Sequence, residues 1–106
     1  MLHGSETSHV LSSLHLYMII ISYDISDDRK RNRFAKMITK HGAIRLQFSV
    51  YELRNTQRIT DNLITLIESF ARHFDASDNV MLFDVNHDKI KKYGRAIHLD
   101  QPVVYF

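Results

Sequence analysis

Apolar and polar positions along this chain follow different rhythms from segment to segment. Met18-Ile19-Ile20-Ile21 is a short unbroken apolar run rich in β-branched residues, which predicts a buried central strand stopping at Tyr23-Asp24. The run is too short to cross a membrane. The spacing then changes to three and four: Phe34, Met37, Ile38 and His41 share one face of a predicted helix over residues 28–41. Ser26 or Asp27 can cap its start, Asp27 and Asp28 suit its positive end, and Gly42 suits a left-handed C-terminal cap. Next, Ile44, Leu46, Phe48 and Val50 alternate with Arg45, Gln47, Ser49 and Tyr51. Period two predicts strand with the first set buried, as one long kinked strand or two short ones joined by a very tight reversal. Thr56 is a candidate cap for a second helix reaching about Phe74, whose apolar stripe is Ile59, Leu63, Leu66, Ile67, Phe70 and Phe74.

Residues 75–79 read as a turn and 80–85 as another buried strand. Asn86-His87-Asp88 breaks it, and residues 89–95 form a short basic connector. A short edge strand is expected over 96–99 and an apolar closing strand over 103–106, the latter needing a cover such as another protomer's sheet edge. The order βαββαβ predicts an α+β, ferredoxin-like domain. Its antiparallel sheet carries two helices on one face, with extra C-terminal strands.

Composition narrows the chemistry. With 106 residues, 44% hydrophobic and 25% charged, the chain suits one domain over 16–106, small enough for a partner subunit to help. Residues 1–15 are Ser- and His-rich without Lys or Arg and read as a disordered leader or start-site extension rather than a secretory signal; His3, His9 and His15 are not counted as ligands. No cysteine is present, which excludes a disulfide scaffold, a thiolate zinc site and a cysteine nucleophile, and fits a reducing cytoplasm. Three glycines at Gly4, Gly42 and Gly94 cannot make a phosphate loop, and neither a paired-histidine helix motif nor a serine elbow occurs.

A net charge of +2 does not announce nucleic acid, but the charge is unevenly placed. Arg29, Arg33, Lys36 and Lys40 stripe the first helix opposite its apolar face, flanked by Lys30 and Arg31. Such a stripe is either a wet surface or a phosphate-binding one. Asp24, at the C-terminal end of a central strand, is placed to meet a metal or a phosphate; alternatively it only begins the turn. The polar set Arg45, Gln47, Ser49 and Tyr51 is either a functional face or ordinary solvated alternation. Together these parts suit phosphodiester chemistry or phosphate binding.

The run from Tyr23-Asp24-Ile25-Ser26-Asp27-Asp28 through Arg29-Lys30-Arg31-Asn32-Arg33, then Gly42, then Arg45-Leu46-Gln47-Phe48-Ser49-Val50-Tyr51-Glu52, resembles the CRISPR-associated protein two (Cas-two) family. The resemblance spans roughly residues 17–106, carried by motif positions in the first half and by element order in the second. It implies a ferredoxin-like homodimer whose C-terminal strands cross onto the partner. The implied role is in CRISPR adaptation in a prokaryotic cytoplasm, bridging dimers of the Cas-one integrase during spacer insertion, with no membrane. Many members are described as Mg²⁺-dependent endonucleases on RNA or double-stranded DNA, others as scaffolds.

Carried over by residue, the resemblance makes Asp24 the metal ligand and a catalytic residue, with Ser49 and Tyr51 as further catalytic positions. Arg31, Arg33 and Arg45 match its arginines, and Arg29 joins them as a nucleic-acid contact from the basic stripe. Tyr51 stands where phenylalanine is common, and the leader is unusual. One Mg²⁺ shared by two copies of Asp24 across the dimer axis is the expected cofactor, completed by waters and a substrate phosphate. A non-catalytic DNA-binding bridge and a related RNA-cleaving toxin are the competing readings. Phosphate contacts carry no base identity, so binding is expected to be sequence-independent and to weaken steeply with salt.

Overall fold

The computed structural model describes residues 16–94. They form β1 (Tyr17–Asp24), α1 (Asp28–Lys40), β2 (Ile44–Gln47), β3 (Val50–Asn55), α2 (Gln57–Ala71), β4 (Asn79–Asp84) and a 3-10 turn at His87–Lys89. The sheet order is β2-β3-β1-β4 and every pairing is antiparallel, so β1 lies inside with β3 and β4 on either side. This is the α+β, ferredoxin-like plan expected from the sequence.

Pleating sends alternate side chains to opposite faces. Ile19, Ile21 and Tyr23 of β1, with Tyr51 and Leu53 of β3, join Phe34 and Ile38 of α1 and Leu63 and Ile67 of α2 in one buried cluster. Both helices therefore cover the same face. Each fully buried aliphatic or aromatic side chain in that cluster contributes about 1.5–3 kcal/mol. The opposite face carries Ile20, Ser22 and Asp24, with cross-strand neighbours Glu52 and Val50 on β3 and Phe83, Met81 and Asn79 on β4.

The helix ends follow the cap chemistry. The Asp27 carboxylate accepts a 2.8 Å hydrogen bond from the Lys30 backbone N–H, and the chain leaves α1 through His41 into Gly42 at φ 102°. The Thr56 hydroxyl accepts from the Ile59 N–H. On α2 the buried stripe differs from the expected one: Leu66 is exposed, while Thr60 is buried with its hydroxyl lacking a hydrogen-bond partner among the described residues.

The segment after α1 is two short strands. Gln47 pairs with Val50, leaving Phe48 and Ser49 as the reversal, and Ser49 adopts φ 64°. A bulge between Arg45 and Gln47 shifts the register. The expected buried set is altered accordingly: Phe48 at the tip is 71% exposed, whereas Tyr51 beyond the turn points into the core. β4 also differs from the buried strand expected: it is the outermost strand among the described residues, Met81 and Phe83 lie on the face that no helix covers, and Met81, Leu82 and Phe83 are exposed. The leader over 1–15 and the strands expected over 96–99 and 103–106 lie outside the described residues. Among the described residues no helix is long and apolar enough to cross a membrane.

Candidate nucleic-acid and metal site

Asp24 is the last residue of β1 and is exposed on the helix-free face, its backbone held in register opposite Asn79 of β4. The chain then anchors itself at once, since Ile25 is buried in the core. Ser26 donates from its backbone N–H and its hydroxyl to Asp78 Oδ1 at 3.1 and 3.2 Å. The Asp75 N–H donates to Asp78 Oδ2 at 2.9 Å. Lys30 Nζ lies 3.7 Å from Asp78 Oδ2 and donates to the His73 carbonyl at 2.7 Å. Asp78 thus ties the turn after Asp24 to the segment leading into β4.

These N–H donors, the Asp75 amide first and then the Ser26 amide, hold the Asp78 carboxyl below its ordinary range, with the Ser26 hydroxyl and Lys30 adding to the effect. A depressed carboxyl stabilises the fold above its unfolded pKa of about 3.9 and loses that contribution as pH falls through the folded value. Thermal unfolding of an Asp78→Asn variant and the parent at pH 7 and pH 3 is expected to show a gap that narrows at pH 3. An unchanged gap would mean that the charge of Asp78 does not matter.

The arginines divide into two groups. Arg31 is part-buried and engaged in structure: Nη1 donates to the Ile25 carbonyl at 3.1 Å and Nη2 pairs with Asp28 at 2.6 Å. It braces the turn that follows Asp24. Arg29 and Arg33 are exposed on α1 together with Lys36 and Lys40. That face is the one the helical spacing placed away from Phe34 and Ile38.

Ser49, Tyr51 and Arg45 gather at the same end of the sheet but on its helix-covered side. The Tyr23 N–H donates to the Ser49 carbonyl at 3.1 Å, which ties the β2–β3 turn to the residue before Asp24. The Tyr23 and Tyr51 rings stack at 6.0 Å, and Tyr23 meets Phe34 edge-on at 4.8 Å. Burial, then the neighbouring Tyr51, push the Tyr23 hydroxyl up to about 12, against the opposing pull of Ser49 and Arg45. Tyr23 is therefore neutral near pH 7 and serves as a hydrogen-bonding group, not a base. Within one chain, pleating directs Asp24 and the Tyr51 side chain to opposite faces of the sheet; the two share an end of the sheet and not a pocket.

Two features of this region escape sequence reading. Glu52, 2% exposed on the helix-free face, pairs with Lys92 of the connector at 2.5 Å, and the Lys92 side chain is itself only 12% exposed. A glutamate flanked by Tyr51 and Leu53 gives no sign of its cation forty residues away. Arg45 lies over the Phe48 ring at 5.6 Å, a contact that the turn creates.

As for a metal, no group of three or more His, Asp or Glu side chains converges among the described residues. A lone exposed carboxylate still suits Mg²⁺, which takes one or two carboxylates and retains several waters. Within one chain Asp24 supplies a single exposed carboxylate, too few donors to hold the ion tightly.

Comparison with known proteins gives a consistent picture. A protein-family model described as CRISPR associated protein Cas2 matches residues 17–93. Among solved structures, a hypothetical protein TT1823 from Thermus thermophilus is similar at 25% identity with a TM-score of 0.60, over 74% of this chain and 92% of that one. A structure described as cas2 matches at 20% identity with a TM-score of 0.53, over 64% of this chain and 72% of that one, a likeness of fold. No curated protein sequence matches the chain. The family match spans β1 through the connector that carries Lys92, the segment that builds the sheet, both helices and the end of the sheet at Asp24, and on that ground the chain belongs to the CRISPR-associated Cas2 family.

Proposed function

We propose that this chain serves CRISPR adaptation in a prokaryotic cytoplasm as a symmetric homodimer that binds nucleic-acid backbones and bridges Cas-one integrase dimers. The observation that carries the reading is the helix-free face of the sheet. Phe83 and Met81 are 46% and 52% exposed there beside Ile20, with Asp24 at the rim of the same face. An apolar surface of this kind calls for a cover, and a second copy supplies a self-complementary one across a two-fold axis. The exposed Arg29, Arg33, Lys36 and Lys40 supply phosphate contacts, which fix position without reading bases. Sedimentation of the purified protein is expected to give the mass of two chains, and Phe83→Glu to raise the dimer dissociation constant at least about tenfold by burying a charge. A wild-type protein that sediments as one chain at every concentration would sink the dimer reading.

A second reading, Mg²⁺-dependent phosphodiester cleavage, is favoured by one specific feature: Asp24 is a solvent-exposed carboxylate on a rigid strand end. Asp24 would hold the ion with waters, one copy from each chain, and the ion would polarise the phosphodiester and lower the pKa of bound water. Arg31 keeps the turn after Asp24 in place, the exposed Arg29 and Arg33 of α1 add phosphate contacts, and Arg45 would meet the nucleic-acid strand where it passes the other side of the sheet end. Ser49 and Tyr51 act from the other side of the sheet end by holding Tyr23, and thereby the strand that presents Asp24. The assay that separates cleavage from bridging alone compares the wild type and an Asp24 variant with and without magnesium.

A further inference from the structure

We propose that Phe48, backed by Arg45, is a stacking platform for an unpaired nucleobase, and that the preferred nucleic acid at this end of the sheet is single-stranded. The proposal rests on the nucleic-acid reading above and refines its substrate class. Phe48 is the most exposed phenylalanine among the described residues, at 71%. It stands at the tip of a two-residue reversal in which Ser49 takes φ 64°. That left-handed conformation is disfavoured for a non-glycine residue, and the turn that adopts it holds the ring out of the core.

The backbone that carries the ring is also pinned. Gln47 and Val50 pair directly below it, and the Ser49 carbonyl accepts from the Tyr23 N–H, one residue before Asp24. Arg45 places its guanidinium carbon 5.6 Å from the ring centroid. An aromatic ring and a guanidinium are the two surfaces on which splayed bases stack, and the cation also attracts the adjoining phosphate. Bases inside a duplex are already stacked on each other and gain nothing from such a platform. Only single strands, or unpaired ends, offer a free base face.

The test measures binding of fluorescein-labelled 20-nucleotide probes by anisotropy at fixed salt. The probes are single-stranded RNA, single-stranded DNA of the same sequence, the blunt DNA duplex, and a single strand that is abasic throughout. Phe48→Ala is expected to weaken binding of both single strands by about 5- to 100-fold, the range of one stacked base. Blunt-duplex binding should move less than about twofold. Phe48→Trp should restore single-strand binding, and the abasic probe should bind wild type and Phe48→Ala alike. A larger loss for RNA or for DNA identifies which strand the platform serves.

Circular dichroism and sedimentation of each variant accompany the titrations. Equal single-strand binding by wild type and Phe48→Ala overturns the proposal while leaving salt-sensitive backbone binding standing. Conversion of Phe48→Ala to single chains overturns it in favour of a subunit contact. If the wild type binds none of the probes, the nucleic-acid reading itself fails.

Discussion

Exchange of Lys92 for methionine is expected to lower stability by about 1.5–3 kcal/mol, the worth of one hydrogen bond to a charged group in a mostly covered site. Glu52 is buried on the helix-free face, and Lys92 approaches it at 2.5 Å with its own side chain mostly covered. Removing the ammonium takes away a short charge-assisted contact in a site where attraction is weakly screened. The Arg31–Asp28 pair differs, because the Asp28 side chain is 83% exposed and such pairs contribute at most about 1 kcal/mol. Urea titration of Lys92→Met should show the loss directly, as a midpoint shift at unchanged slope. If the variant costs less than about 1 kcal/mol, the pair does not hold the connector to the sheet.

Asp24→Asn is expected to reduce Mg²⁺-dependent cleavage by on the order of 100-fold or more, since the amide keeps the shape and loses the charge that attracts a divalent ion. The side chain is exposed, so stability should stay within about 0.5 kcal/mol of the parent. Nucleic-acid affinity should be equal or slightly higher, because an anion has been removed beside the phosphates. Loss of cleavage with retained binding would place Asp24 in the chemical step, and chelator should remove activity from the wild type while adding nothing to the variant's defect. Cleavage that persists in Asp24→Asn would sink the metal reading. A wild type that never cuts but binds with steep salt dependence would leave the bridging role alone.

The amino-acid sequence by itself determined the parts whose signals are local. The apolar run Met18-Ile19-Ile20-Ile21, the helical spacing of Phe34 and Ile38, the Asp27 and Thr56 caps and Gly42 after α1 all depend on neighbours a few residues away, and each appears in the fold as expected. The same is true of Asp24 at the end of β1 and of the exposed stripe Arg29, Arg33, Lys36 and Lys40. Tertiary structure decided what periodicity leaves open. A period-two pattern does not reveal where a chain reverses, so the turn at Phe48-Ser49 and its bulge alone settled that Phe48 faces solvent and Tyr51 the core. An apolar strand does not announce whether both of its faces will be covered, and Met81 and Phe83 became exposed because both helices pack on the other face of the sheet. That two of the Arg31 donors brace the turn after Asp24 was equally hidden, because the Ile25 carbonyl is brought to it by the fold. Glu52 and Lys92, like Asp78 and Ser26, meet only because the chain folds back, for contacts between residues forty or more apart are set by packing and leave no local trace.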